Sequence, residues 1–499
     1  MDPILAIHLG STRHVLVASE PDRHHPEQYC PSIVLTPKEN RSYPNAIAIK
    51  ANRYCFCDSC PQMVNEAYRL SVFYSPDAML LTEGAEEKTY TKGRVYCDNG
   101  KAVIRFNNNT SLSVSSAFGL QLVFEYYCYL MGVRACIDRV FLDIEGLLRE
   151  MRITPVYAIP DHYGDKEVEC LKAIQKGCGL PEACYISESL AVAVNCAYPL
   201  CRDRQEYCGE IAILDIGYSK ASLSLVAFDR HSINVKCMKT TNLVNGRIIE
   251  EALLDEVKDR HDPFEDPSMN LQLLWEIRNN LKTLYSPDCE GVSFSIENIA
   301  YPEDDVDFDL TRSRFIELLE KKDVFKELRE FTKSFKSDLG EDVLIESLYA
   351  VGKVTLIPEL VEVVREELSG DGNTVQCNYS ADRLECAAEG AWRSMYEIEK
   401  ERLFFSTSKG IWLTKEMERR MKQNKEREIP LSRLSDCIAV RMDDCEKNRD
   451  PEVNDPEKPQ YNTAVEENHN EQAYEMNLKE IDEDMEKTVE RMKELQRKY

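Results

Sequence analysis

Three short glycine-containing stretches lie far apart in this chain, and each follows an apolar run rich in β-branched residues. The first stretch, His8 to Thr12, follows the run 4–7, and the second, Asp215 to Ser219, follows the run 211–214. The third, Ala350 to Lys353, begins at the end of the run 344–351. An apolar run followed by glycine indicates a buried strand that feeds a tight turn. Glycine there lets backbone N–H groups approach an anion that a β-carbon would hold away. One such turn is common in α/β proteins, whereas three in order favour anion-binding loops.

The segments around these turns resemble a known family. Residues 211–228, with the sequence IAILDIGYSKASLSLVAF, are similar to the second phosphate loop of the seventy-kilodalton heat-shock chaperones and their relatives. Residues 157–198 resemble the block that precedes this loop in the family, and residues 294–319 resemble a later block. The resemblance covers residues 1–397.

Three details resemble the 110-kilodalton branch of that superfamily more than its ATPase-chaperone branch. They are Tyr218 and Ser219 after Gly217, where the chaperones have a glycine run, Pro37 to Arg41 after Pro31 and Ser32, and Asn245-Gly246-Arg247, which is similar to the Gly-Gly-Arg of the 110-kilodalton branch. The resemblance implies an actin-like, two-lobed α/β fold with a duplicated mixed β-sheet, flanking helices and a nucleotide cleft. From periodicity alone, only an α/β protein follows, with a strand at 154–159 and helices at 165–177, 246–259 and 358–368.

The resemblance also implies a nucleotide-binding set, with ATP as the ligand, with or without Mg²⁺. Two groups of loop residues would face the phosphates, one group from each lobe, and the remaining members would lie near the sugar and the adenine. The set is Gly10, Ser11, Thr12, Asp215, Gly217, Ser219, Gly246, Lys282 and Gly352. An alternative stays open, in which the glycines are relics that the strand-loop geometry alone requires.

The positions that support ATP hydrolysis in the family are only partly retained. Phosphoryl transfer in this fold depends on carboxylates that order magnesium and water and on a lysine near the γ-phosphate. Glu188 and Asp215 match two family carboxylates, whereas His8 and Ser222 stand where the family has aspartates. The lysine is expected near residues 64–70, and none occurs there. We therefore expect hydrolysis to be slow or absent, and no residue is assigned as catalytic.

Composition limits the classes of protein that fit. A chain of 499 residues is too long for one compact core, so two or more domains are expected. Its longest apolar runs fall short of the roughly 20 residues that span a bilayer, and no targeting signal is recognisable, which favours the cytoplasm. The net charge of −26 disfavours nucleic acid and anionic membranes. It suits docking on a basic patch of a partner protein, or it is simply a solvated surface.

The 19 cysteines are best interpreted as reduced thiols of a cytosolic protein. Only Cys55, Cys57 and Cys60 are clustered, and three thiolates could ligate zinc with a fourth ligand from elsewhere. Their spacing matches no known finger or ribbon, so no metal site is predicted, and the zinc alternative stays open.

The last hundred residues differ in character from the rest. We expect a charged helical extension at 398–445, a disordered acidic linker at 446–472 and an amphipathic helix at 473–499 with a/d heptad spacing. Relatives carry a β-sandwich peptide-binding domain at this place, and the strand pattern of such a domain is not found.

These observations lead to one functional hypothesis and two alternatives. The hypothesis is a co-chaperone that resembles the 110-kilodalton nucleotide exchange factors, with a seventy-kilodalton heat-shock chaperone as partner and ATP as a structural ligand. The protein would be a monomer or a heterodimer with that partner. The alternatives are a diverged chaperone ATPase and a pseudo-ATPase scaffold that binds no nucleotide.

Overall fold

The structure is a computed structural model, and it describes the chain in segments. These are residues 3–21, 29–36, 40–50, 53–56, 72–73, 95–98, 101–105, 111–134, 153–203, 209–229, 232–260, 277, 283–300, 304–340, 343–369, 374–379, 385–400, 404–405 and 410–427. None of the helices in these segments combines the length and the apolar character that crossing a bilayer requires.

The strands of these segments fall into five sheets and are numbered in chain order. They are β1 (Ile4–Leu9), β2 (Arg13–Pro21), β3 (Tyr29–Ile33), β4 (Tyr43–Pro44), β5 (Ala46–Lys50), β6 (Arg53–Phe56), β7 (Val72–Phe73), β8 (Val95–Asp98), β9 (Lys101–Arg105), β10 (Ser111–Ser113), β11 (Thr154–Ile159), β12 (Cys184–Ser187), β13 (Gly209–Ile216), β14 (Ala221–Asp229), β15 (Ser232–Thr241), β16 (Gly291–Ala300), β17 (Asp304–Thr311), β18 (Ser347–Val351), β19 (Gln376–Tyr379), β20 (Phe404–Phe405) and β21 (Ile411–Trp412).

The helices of the same segments flank the sheets. They are α1 (Val114–Arg134), α2 (Asp165–Gly177), α3 (Glu188–Asp203), α4 (Gly246–Arg260), α5 (Arg312–Lys321), α6 (Val324–Leu339), α7 (Pro358–Leu368), α8 (Cys386–Glu399) and α9 (Lys415–Arg427), with a 3-10 helix at Lys353–Leu356.

Two large sheets share one plan. The first contains the strand order β3-β2-β1-β11-β12, and the second contains β15-β14-β13-β18-β19. In each sheet the first three strands pair antiparallel and the last three pair parallel. This duplication confirms the expected actin-like, two-lobed α/β fold with flanking helices.

A shared core joins the two sheets. It contains buried side chains of β1, β2, β11 and β12 from the first lobe and of β13 and β14 from the second, together with side chains of α3 and α8. The two helices cross closely at Gly390, where a Cβ in place of the glycine hydrogen would lie only 1.8 Å from the carbonyl oxygen of Ala191. Glycine is therefore required at this crossing, which holds the lobes together beneath the cleft.

Several of these elements lie where the sequence predicts them. The strand at 154–159 and the helices at 165–177 and 358–368 have the predicted bounds, and the helix predicted at 246–259 extends by one residue. The helix at 358–368 begins with Pro358, whose fixed φ suits the first helical position and whose missing N–H costs nothing there.

The described part of the predicted 398–445 extension joins both sheets. Strand β20 pairs with β15 of the second sheet, and β21 pairs with β12 of the first. The indole N–H of Trp412 donates to Asp165 Oδ1 over 2.7 Å. Residues 428–499, which include the predicted linker and terminal helix, lie outside the described residues, so the domain boundaries remain predictions.

The cysteine cluster is only partly described. Cys55 lies in β6, whereas Cys57 and Cys60 are outside the described residues. Within the described segments, no group of three or more His, Cys, Asp or Glu side chains is arranged to hold a metal ion.

Candidate functional site

The cleft between the lobes lies at the carboxyl ends of the parallel strands of both sheets. His8 and Asp215 are the penultimate residues of β1 and β13, which occupy equivalent places in the two sheets. Asp161 follows β11, Glu188 follows β12 directly, and Gly352 follows β18 directly. Ligands of open α/β sheets bind at such carboxyl edges, which makes this cleft the candidate site.

Eight of the nine residues predicted to bind nucleotide line this one cleft. It encloses about 1310 Å³, including the part open to solvent. The eight are Gly10, Ser11, Thr12, Asp215, Gly217, Ser219, Gly246 and Gly352. Lys282 lies outside the described residues. The structure thus brings the three glycine turns together, and their role in binding a nucleotide remains a prediction.

A buried asparagine supports each of the first two glycine turns. Nδ2 of Asn45 donates to the carbonyl oxygens of Gly10 and Ser11, at 3.3 and 3.2 Å. Nδ2 of Asn245 donates to the carbonyl oxygen of Ser219 over 2.9 Å. These bonds use the carbonyl groups of the turns and so fix the backbone conformation on both sides of the cleft.

The three glycine turns differ in whether their geometry alone requires glycine. At Gly10 a Cβ would lie 2.4 Å from the Arg13 carbonyl oxygen. At Gly352 the φ angle is +82°, and a Cβ would lie 2.3 Å from Asp215 Oδ1. At Gly217 the nearest atom would be the Lys220 carbonyl oxygen at 3.5 Å, which is an ordinary contact. The alternative of relic turns therefore explains Gly10 and Gly352 but not Gly217.

His8 is paired with a carboxylate across the floor of the cleft. Its Nε2 lies 2.7 Å from Glu188 Oε1, and both side chains are less than a fifth exposed. Burial by itself lowers the pKa of His8, but the hydrogen bond to Glu188 and the charges of Glu188 and Asp215 outweigh it and raise the pKa. The position where the resemblance implies an aspartate thus favours a positive charge.

Asp161 is a third cleft carboxylate, which was not predicted from the sequence. Its two oxygens accept hydrogen bonds from the N–H and Oγ of Ser189, at 2.9 and 2.6 Å, in the first turn of α3. The side chain of Ser222, which also lines the cleft, acts to lower the pKa of the Asp161 carboxyl group. Burial and the nearby charge of Glu188 nevertheless raise the pKa of Asp161 to about 6. The sequence signal that could have identified Asp161 is its position just after Pro160, at the carboxyl end of a predicted strand.

Asp215 carries the largest shift among the cleft carboxyl groups. Burial and the charge of Glu188 raise its pKa to about 8, while the charge of His8 opposes that rise and the charge of Asp161 adds to it. Burial and the neighbouring negative charges thus favour the neutral form of this carboxyl group.

Two lobes of one plan, with glycine turns around a shared cleft, define a protein of the actin-like nucleotide-binding class. Comparison with known families agrees, since a family model described as Hsp70 protein matches residues 137–391, just over half of the chain. The chain belongs to the Hsp70 family and so has a chaperone-related function. The match does not distinguish branches of the family, so the 110-kilodalton assignment remains a prediction. No curated protein matches the chain significantly.

Members of this family bind nucleotide together with Mg²⁺. Two of the carboxylates that line this cleft, Glu188 and Asp161, already accept hydrogen bonds from neighbouring residues, and Asp215 lines the cleft beside them. Mg²⁺ is usually held by one or two carboxylates, waters and substrate phosphates in octahedral geometry. Here Glu188 Oε1 is bonded to His8, and both oxygens of Asp161 are bonded to Ser189. The imidazole of His8 also cannot order hydrated magnesium as a carboxylate at that position would.

Proposed function

We propose that this protein is a co-chaperone that promotes exchange of ADP for ATP on a seventy-kilodalton heat-shock chaperone, in the manner of the 110-kilodalton branch. ATP would be bound mainly as a structural ligand. The protein would act in the cytoplasm, as a monomer or as a heterodimer with the chaperone.

The contrast between the loops and the catalytic positions carries this proposal. The glycine turns converge on one cleft, as a phosphate-binding site requires. His8, where a catalytic aspartate belongs, is hydrogen-bonded to Glu188, one of the two retained carboxylates. A site with converging glycine turns and altered hydrolytic groups suits a protein that binds a nucleotide without hydrolysing it.

A nucleotide held in this way would act as a staple between the lobes. Ser11 lies in the first lobe and Ser219 in the second, and both line the cleft. A ligand that contacts both turns stabilises the arrangement in which they face each other, by linkage. That arrangement would be the one that docks on the partner chaperone.

The direct test is release of fluorescent ADP from a cognate seventy-kilodalton chaperone, followed by stopped flow with and without this protein. We expect faster release with the protein, and slower release again after its ATP has been stripped. Absence of acceleration would contradict the exchange role. If ADP release is accelerated equally with and without ATP bound to this protein, the result would instead support a scaffold that needs no nucleotide.

One observation favours the alternative of a diverged chaperone ATPase. Asp161 brings a carboxylate next to Ser222, and Ser222 stands where the family has an aspartate. A carboxylate from a neighbouring strand would then take over part of the missing function. This alternative is tested by measuring single-turnover ATP hydrolysis by the natural protein and by the Asp161→Asn variant. It requires that the natural protein hydrolyses ATP measurably and that the substitution abolishes the hydrolysis.

A further inference from the structure

A basic side chain accompanies each of the three glycine turns. Arg13 and Lys220 each lie three residues after the glycine of their turns, and Lys353 follows Gly352 directly. All three of these basic residues line the cleft. The Arg13 guanidinium donates through Nη1 to Ser42 Oγ over 3.1 Å, and Ser42 also lines the cleft, so this contact holds the cation beside the first turn.

These cations address a problem of charge balance. A nucleoside triphosphate carries several negative charges, and its usual binding sites neutralise them with a divalent cation together with lysine or arginine. His8 holds one oxygen of Glu188 and Ser189 holds both oxygens of Asp161, which leaves Asp215 as the cleft carboxylate outside these contacts. Lysine and arginine make charge-assisted hydrogen bonds to phosphate without any metal.

We infer that the cleft binds ATP or ADP in the metal-free form, with Arg13, Lys220 and Lys353 supplying the positive charge that the divalent cation supplies elsewhere in the family. This inference rests on the nucleotide binding in the proposed function. The first and second turns each contribute one cation from opposite lobes, so the phosphate chain would be held from both sides.

The test is the affinity of the full chain for ATP, measured by isothermal titration calorimetry in buffer with Mg²⁺ and in buffer with excess EDTA. We expect the two dissociation constants to agree within about threefold, or the EDTA value to be lower. Binding that weakens by about tenfold or more in EDTA would overturn the inference while leaving nucleotide binding intact. Absence of binding in both buffers would overturn both. The exchange assay measures a different quantity, ADP release from the partner chaperone, and so tests the exchange role separately.

Two sets of variants sharpen the result. Lys220→Ala and Lys353→Ala should each weaken ATP binding in EDTA by about tenfold, the loss expected for one charge-assisted contact. Lys236→Ala is the matched control, because Lys236 pairs with Glu210 and does not line the cleft. Equal affinities for the three variants and the natural protein would contradict the inference.

The reverse substitution provides a second readout. His8→Asp restores a carboxylate beside Glu188 and should make ATP binding depend on Mg²⁺, with a lower affinity in EDTA than in Mg²⁺. Thermal unfolding checks that this variant folds, and the two lysine variants keep the test decisive if it does not. A folded His8→Asp protein whose ATP affinity remains independent of Mg²⁺ would argue against the role given to the His8–Glu188 pair.

Discussion

The hydroxyl oxygens of Ser11 and Ser219 lie 2.7 Å apart, so a hydrogen bond joins the first glycine turn of one lobe to the second glycine turn of the other. The two residues are 208 positions apart in the chain. The contact brings the two turns together across the cleft. It also gives the lobes a direct link at the place where a nucleotide would bind.

Removal of either serine hydroxyl should weaken this link. We expect Ser11→Ala and Ser219→Ala each to lower the free energy of unfolding by about 1 kcal/mol without nucleotide. The double variant should lose little more than either single variant, because both remove the same bond. Urea unfolding of the four proteins measures the coupling, and fully additive losses would contradict a direct hydrogen bond.

A substitution at Gly217 tests whether glycine is needed there for ATP binding, because the backbone itself does not require it. We expect Gly217→Ala to fold as the natural protein does, since its Cβ would make only ordinary contacts, but to bind ATP about tenfold more weakly. The reason is that a methyl group would hold the phosphate away from the N–H groups of the turn. Calorimetry and thermal unfolding on the same sample give both quantities.

Gly352→Ala is the comparison for that experiment. Because residue 352 has a positive φ and lies close to Asp215, the substitution should lower the free energy of unfolding by about 1–3 kcal/mol. It should also weaken ATP binding. If Gly217→Ala binds ATP as tightly as the natural protein does, the second turn does not contact the phosphates.

The helix crossing beneath the cleft should tolerate no side chain at Gly390. Gly390→Ala would place a Cβ against the carbonyl of Ala191 and should destabilise the protein by about 1–3 kcal/mol or more, because α3 and α8 must separate. Gly177→Ala is the control, since its Cβ meets nothing within 4 Å at the end of α2. There we expect no loss, or a gain of up to about 1 kcal/mol. Similar unfolding curves for the two variants would contradict the close crossing.

Stability should fall as pH rises through the range in which the cleft carboxyl groups titrate. Folding raises the pKa of Asp215 from about 3.9 to about 8, and it raises the pKa of Asp161 to about 6. Between the unfolded and folded values the native state binds more protons, so the free energy of unfolding decreases with increasing pH. The raised pKa of His8 acts in the same direction.

Asp215→Asn should flatten this dependence, by up to about 1.4 kcal/mol per pH unit where the group is protonated only in the folded state. The variant should be the more stable protein above neutral pH. Thermal unfolding at pH values from about 5 to about 9 covers most of the range between the unfolded and folded pKa values and measures this dependence. Asp288→Asn, an exposed carboxylate outside the cleft, should leave the profile unchanged. Parallel profiles for the natural protein and Asp215→Asn would contradict the burial of that charge.

Much of the fold was predictable because its signals are local. The strand at 154–159 contains an uninterrupted apolar stretch after Thr154, and the helix at 165–177 begins with Asp165 and Glu167 in its first turn. The shared cleft was predicted from the family resemblance of the segments around the three glycine turns. The two-residue strands β20 and β21 were missed, since such short elements form only by pairing with an existing sheet edge.

The chemistry of the cleft was less predictable because it depends on contacts between distant residues. The replacement of an aspartate by His8 is visible in the sequence, but the pairing with Glu188, 180 positions away, required the fold. Asp161 had no family pattern to mark it, and its contact with Ser222 joins two lobes. The raised pKa of Asp215 likewise results from its burial and from the nearby charges of Glu188 and Asp161, which no spacing in the chain reveals.

The most direct test of the central claim is the fate of ATP bound to the purified full-length protein. Radiolabelled ATP is bound in Mg²⁺ and in EDTA, the complex is isolated, and its nucleotide content is followed over time. We expect ATP to stay bound in both buffers and to be converted to ADP no faster than ATP in buffer alone. Rapid conversion of bound ATP to ADP would contradict the claim, as would recovery of a protein that retains no nucleotide.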